Sequence, residues 1–92
     1  MIRNFKHKGL QKLFEAGSRR GIPPDMAARL TLQLDALNAA GDVQDLNLPG
    51  YHLHELQGKR KGTWAITVRA NWRITFRFTN RDALDVDFED YH

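Results

Sequence analysis

Residues 64–89 read WAITVRANWRITFRFTNRDALDVDFE, and within them apolar and polar side chains alternate with a period of two. Trp64, Ile66 and Val68 alternate with Ala65, Thr67 and Arg69. Trp72, Ile74, Phe76 and Phe78 alternate with Arg73, Thr75, Arg77 and Thr79, and Leu84, Val86 and Phe88 with Asp85, Asp87 and Glu89. Successive side chains of a strand point to opposite faces, so the pattern predicts three half-buried antiparallel strands joined by short loops. A three-residue turn at Arg69-Ala70-Asn71, with Asn71 left-handed, sets Val68 opposite Trp72 and Ile66 opposite Ile74. A five-residue loop from Thr79 to Ala83 sets Phe78 opposite Leu84 and Phe76 opposite Val86. Both registers gather all ten apolar residues on one face. A two-residue loop at Ala70-Asn71 turns one strand inside out and is rejected on that ground. On the polar face the same arithmetic sets Arg73 opposite Glu89 and Arg77 opposite Asp85, with Thr67 beside Arg73.

The cover for the apolar face lies upstream. Ile2 to Phe5 predicts a short first strand. Leu10, Leu13 and Phe14 recur at helical spacing, which predicts an amphipathic helix over His7 to Ala16, stopped by Gly17. Pro23 and Pro24 stand where a second helix begins, with Asp25 in its favourable first turn. Met26, Leu30, Leu34 and Leu37 give that helix one apolar stripe, and Gly41 ends it. Residues 42–50 predict a loop or a short helical turn, closed by Pro49-Gly50. The fold class is α+β: two N-terminal helices packed on one face of a largely antiparallel sheet. With 92 residues and no repeat or linker, one domain over 1–92 is expected.

The chain has 14 Lys+Arg against 11 Asp+Glu, and their placement says more than the net +3. Seven basic residues (Lys59, Arg60, Lys61, Arg69, Arg73, Arg77 and Arg81) lie between Leu56 and Arg81 without one acid, and the five acids of residues 82–92 follow. A basic segment of this kind suits a polyanion such as nucleic acid; a basic strand paired with an acidic one accounts for much of the same pattern. There is no cysteine, which excludes disulfides, thiolate zinc sites and a Cys nucleophile. No apolar stretch approaches membrane-spanning length and the opening residues lead into no apolar segment of a secretory signal. A cytoplasmic protein without a membrane partner is expected.

Glycine-rich phosphate loops, GxSxG elbows and HExxH helices are absent from the sequence. The chemistry-bearing groups are His52-x-His54 and the run Glu89-Asp90-Tyr91-His92. If Tyr51 to Leu56 is extended, the two histidines share a face; spacing alone suggests zinc, and no metal or cofactor is assigned. His, Asp, Tyr and Arg together can cleave RNA without metal. A base takes the ribose 2′-hydroxyl proton, a cation stabilises charge on the attacked phosphorus, and an acid protonates the departing 5′-oxygen.

Three segments together resemble a HigB-type toxin of the RelE/ParE toxin–antitoxin superfamily: the run from Arg69 to Phe76, the terminal Glu89-Asp90-Tyr91-His92, and the opening Ile2 to Leu10. Leu53-His54 and Gly58 fit the same pattern, so the resemblance spans the chain. It implies a RelE-like, microbial-RNase-type fold and a ribosome-dependent endoribonuclease that cuts mRNA in the decoding site and arrests translation. By resemblance, His54, Asp90, Tyr91 and His92 map onto active-site positions and Arg73 onto the phosphate-contacting or charge-stabilising group. His92 or Asp90 would transfer protons, Tyr91 would orient or stack on substrate, and His54 would be the second acid/base partner. This chain carries neutral Gln57 where some members carry Lys. Lys59, Arg60, Lys61 and Arg69 then read as ribosomal or messenger RNA contacts. The implied partner is a helix-turn-helix antitoxin of HigA type, with operator DNA bound only through the toxin–antitoxin complex. Two other readings are a ParE-like gyrase inhibitor and a non-catalytic RNA-binding module. The convergence of His54 with Asp90-Tyr91-His92 argues against the first; for the second the basic segment would suffice and the histidines would be incidental.

Overall fold

The computed structural model describes residues 1–90, and in it the period-two stretch forms three strands: β2 (Thr63–Arg69), β3 (Trp72–Thr79) and β4 (Asp82–Asp90). A two-residue edge strand, β1 (His54–Glu55), pairs with β2, giving an antiparallel sheet in the order β1-β2-β3-β4. Two helices precede the sheet in the chain, α1 (Lys8–Ala16) and α2 (Ala27–Ala39). Leu30, Leu34 and Leu37 of α2 and Leu10 and Leu13 of α1 bury with Ile66, Val68, Ile74, Phe76, Val86 and Phe88 in one core. The helices therefore cover one sheet face, as the alternation requires, and leave the other, here the outer face, to polar groups.

The helix ends follow local chemistry. His7, expected inside α1, is instead its N-cap: the Leu10 amide donates to His7 Nδ1 at 3.0 Å, and the ring meets Phe88 edge-on at 5.7 Å. Gly17 ends α1 in the left-handed region (φ 68°), where a side chain is unfavourable. Pro24–Met26 form a short 3-10 turn leading into α2, and Val43–Leu46 another, closed by an Asp42–Asp45 capping box.

The connections differ from the sequence arithmetic. Ile66 does face Ile74 and Arg73 does face Glu89. The β2–β3 turn, however, has two residues, Ala70 and Asn71, with Ala70 rather than Asn71 at positive φ (50°). Arg69 pairs with Trp72, and a bulge between Thr67 and Arg69 absorbs the extra residue, so Val68 stays in the core. Asn80 and Arg81, both at positive φ, likewise replace the five-residue loop. A second bulge, between Thr75 and Arg77 and their partners, places Arg77 opposite Leu84 rather than Asp85 and Phe78 opposite Ala83 rather than Leu84. Ala83 is buried and Leu84 leaves the core. Asp85, the surplus residue, has φ 53°, and the Asn4 side chain holds it: the Asp85 amide donates to Asn4 Oδ1 (3.1 Å) and Asn4 Nδ2 to Asp85 Oδ1 (2.8 Å). The N-terminal segment runs parallel to β4 through single bridges at Ile2–Ala83 and Phe5–Val86, where the sequence predicts a short strand.

Candidate functional site

The outer face is organised in rows set by the register. Thr67, Arg73 and Glu89 form one row; His54, Ala65, Thr75 and Asp87 form the next. His54 and Arg73 are thus on one face, two strand spacings and one two-residue step apart, about 12 Å between Cα positions. Beside them a cleft of about 210 Å³ is lined by Lys6, Arg60, Thr63, Thr75, Arg77, Asp85, Asp87 and Glu89.

Glu89, one of the lining residues, is held from two sides. Its carboxylate accepts two bonds from Arg60, Nη1 to Oε1 at 2.9 Å and Nη2 to Oε2 at 2.6 Å, and a further bond from the Thr75 hydroxyl. A two-pronged guanidinium–carboxylate pair is both strong and geometrically specific. The Arg60 bonds hold the Glu89 carboxyl below its ordinary value; burial opposes this, and the Thr75 hydroxyl and the charges of Arg60 and Lys6 reinforce it. Arg73 faces Glu89 in the register, yet its Nη1 donates to the carbonyls of Ala70 (2.7 Å) and Trp72 (3.2 Å). Neutral carbonyls orient the guanidinium without cancelling its charge.

His54 is exposed on the edge strand, with Nδ1 2.9 Å from the His52 carbonyl. A carbonyl only accepts, so this bond places the proton on Nδ1 and leaves the Nε2 lone pair free to take one. His52 has φ 49°, so the segment is not extended there and the two histidines do not share a strand face as predicted. Among the described residues no three His, Cys, Asp or Glu side chains are grouped to hold a metal ion.

The remaining sequence candidates spread around this face. Lys59 and Arg60 lie in a 3-10 turn (Gly58–Arg60), with Lys61 next; all three are exposed. Arg69, at the end of β2, is ion-paired with Asp25 in the turn before α2. Asp90 pairs with Trp72, on the helix-facing side at the sheet rim and beside the Arg73–Glu89 row. Tyr91 and His92 lie outside the described residues. Sequence reasoning missed three participants. Thr75 is 1% exposed despite facing away from the helices, Glu89, named in the terminal run and opposite Arg73, was not paired with Arg60, and Gln33 of α2 reaches the Thr67 carbonyl at the first bulge (2.8 Å). The register arithmetic did put Glu89 and Thr75 on the correct face; nothing in the sequence selects Arg60 as their partner.

Two bacterial proteins are similar over nearly their whole length. Endoribonuclease HigB of Proteus vulgaris is 51% identical over 92 residues, all of both chains. Toxin HigB-1 of Vibrio cholerae serotype O1 is 33% identical over 87 residues, 92% of each. Residues 3–92 match the HigB-like toxin family, described as the RelE-like toxin of type II toxin-antitoxin system HigB. The α+β fold, with helices on one face of a four-stranded antiparallel sheet, agrees with that match. The chain belongs to the HigB-like family of RelE-like toxins of type II toxin–antitoxin systems.

Proposed function

We propose that this toxin is a ribosome-dependent endoribonuclease that cuts mRNA in the decoding site, with no metal at the reacting phosphate. The observation that carries the reading is one face bearing both an exposed imidazole with a free Nε2 and a guanidinium held by neutral carbonyls. The name of the Proteus vulgaris relative supports the reaction class. His54 Nε2 takes the ribose 2′-hydroxyl proton, the 2′-oxygen attacks the adjacent phosphorus, and Arg73 stabilises the added negative charge. His92 protonates the departing 5′-oxygen, leaving a 2′,3′-cyclic phosphate and a 5′-hydroxyl, and Asp90 at the sheet rim orients His92. Tyr91 orients or stacks on the substrate. Lys59, Lys61 and Arg69 meet ribosomal or messenger phosphates; Arg60 belongs to the same basic run.

The outer-face cleft of about 210 Å³ is too small to hold a stretch of message, so we take placement of the message to come from the ribosome. As a type II toxin the chain has an antitoxin partner. We take that partner to be a helix-turn-helix, HigA-type protein through which the complex contacts operator DNA, and the site of action to be the cytoplasm.

The test is in vitro translation with mapping of message cuts. Cuts should fall within translated codons, far faster than on the same RNA free in solution. Equal rates on naked RNA would remove the ribosome from the mechanism. A phosphorothioate at the scissile bond whose cleavage is rescued by Cd²⁺ would put a metal at the reacting phosphate.

A further inference from the structure

Among the described residues, backbone pairing holds the β1–β2 connection at its base. β1 contributes two register pairs, His54–Ala65 and Glu55–Trp64, and the Leu56 amide reaches the Thr63 carbonyl at 2.8 Å. Glu55 adds an acceptor for the Gly62 amide (2.9 Å). Residues 57–61 beyond them are exposed. Among the described residues, the Arg60 fork onto Glu89, 29 positions later on β4, crosses from this connection to the far side of the sheet. Ala65 and Thr75 of the intervening strands face outward, yet each is 1% exposed.

We propose that Glu89 is a positioning residue for the cleavage reaction: by forking Arg60 it straps the β1–β2 connection across the outer face and fixes His54 relative to Arg73. The proposal rests on the endoribonuclease reading above. Three features support a strap over a chance surface pair. The pairing is two-pronged, which fixes both planes. The Thr75 hydroxyl, itself buried, holds the carboxylate from β3, so Glu89 is not free to turn. Arg73, which the register sets directly opposite Glu89, bonds carbonyls instead. Glu89 therefore ties down the loop without neutralising the cation meant for phosphate. Arg60 acts through this link, while Lys59 and Lys61 remain on the exposed side of the strap.

The experiment compares the full chain with Glu89→Gln, Arg60→Ala, Arg60→Lys, the double Arg60→Ala/Glu89→Gln, and the charge swap Arg60→Glu/Glu89→Arg. Each is measured for cleavage on translating ribosomes, as kcat and half-saturating ribosome concentration, and for amide hydrogen exchange over residues 53–62. Glu89→Gln and Arg60→Ala should each speed exchange in that segment and lower kcat on the order of tenfold to a hundredfold, the scale of a small misplacement of reacting groups. Half-saturation should stay near wild type, the double variant should be no worse than either single one, and the swap should recover most of both readouts. Arg60→Lys keeps the charge and loses the fork, so it should fall between wild type and Arg60→Ala and serves if the larger changes unfold the chain. The proposal is overturned if Glu89→Gln matches wild type in kcat and exchange. It is equally overturned if Arg60→Ala and Arg60→Lys change only half-saturation, which would make Arg60 a nucleic-acid contact. Wild-type protein that fails to cut would sink the nuclease reading, and the exchange data would still judge the strap.

Discussion

Arg73 and Arg77 stand four positions apart on the outer face of β3, and their surroundings separate them. Arg73 is half-buried and bonded to two carbonyls; Arg77 is exposed and faces Leu84 across the bulge. Charge stabilisation at a phosphoryl centre is worth several kcal/mol, so Arg73→Ala should lower message cleavage on the order of 10²–10³-fold with little change in melting temperature. Arg77→Ala should shift stability by no more than about 0.5 kcal/mol and keep cleavage, since an exposed arginine contributes little. Cleavage assays beside thermal melts check both. A pair of variants with equal activity would remove Arg73 from the chemistry. At this scale the sequence identified His54 and Arg73 as candidates, and the pairing of β1 with β2 and of β2 with β3 put them on one face. It could not show that a left-handed His52 presents the carbonyl that orients His54, because that conformation has no signature in residue type here.

Among the elements, the two hairpins carry the main departures from the pattern. Both close with two-residue turns, and each leaves one residue for a bulge. Primed turns match the right-handed twist of strands, which favours them over longer loops even when the chain must absorb an extra residue. Asn80 and Arg81 both have positive φ (49° and 70°), the arrangement in which Asn-Gly is preferred. Arg81→Gly relieves the left-handed penalty at the second position and should stabilise the protein by about 0.5–1 kcal/mol after the entropy cost of glycine. Its backbone carbonyl, which accepts from the N-terminal amine at 2.8 Å, is retained. Denaturant midpoints at constant slope measure this; a lower midpoint would show that the Arg81 side chain contributes more than its conformation costs. The surplus residue of the second bulge, Asp85, is held by Asn4, 81 positions earlier. A local pattern contains no hint of that contact.

For the whole molecule, Glu89 links the sheet to acid stability. Its folded-state value lies below the ordinary carboxylate value of 4.5, chiefly because Arg60 donates to the ionised form. The unfolded chain then binds the proton first as pH falls, so the contribution is complete above about 4.5 and is lost as pH drops through the lower folded value. Glu89→Gln removes this contribution. The stability difference between wild type and Glu89→Gln should therefore be constant near neutral pH and shrink as pH falls below about 4.5. Denaturant unfolding at stepped pH tests it, and a difference that grows on acidification would reverse the assigned sign.

The sequence by itself determined the two helices, the three long strands and the face taken by their side chains, Ala83 and Leu84 at the start of β4 excepted. Those features follow from the 3.6- and 2-residue periods of the backbone and from apolar burial, which every short window repeats. It also placed Arg73 opposite Glu89, because the residue that a longer loop would take up is the one the second bulge absorbs, which leaves the pairing beyond it the same. Tertiary structure alone decided where the bulges fall, since a one-residue slip would turn a strand inside out unless a surplus residue absorbs it, and no period specifies which residue that is. It also decided that His7 caps a helix against Phe88, that Leu84 gives its core place to Ala83, and that Glu89 takes Arg60 rather than Arg73. Each of these outcomes is a contact between side chains or segments that the fold must bring together first, and residue spacing along the chain carries no record of it.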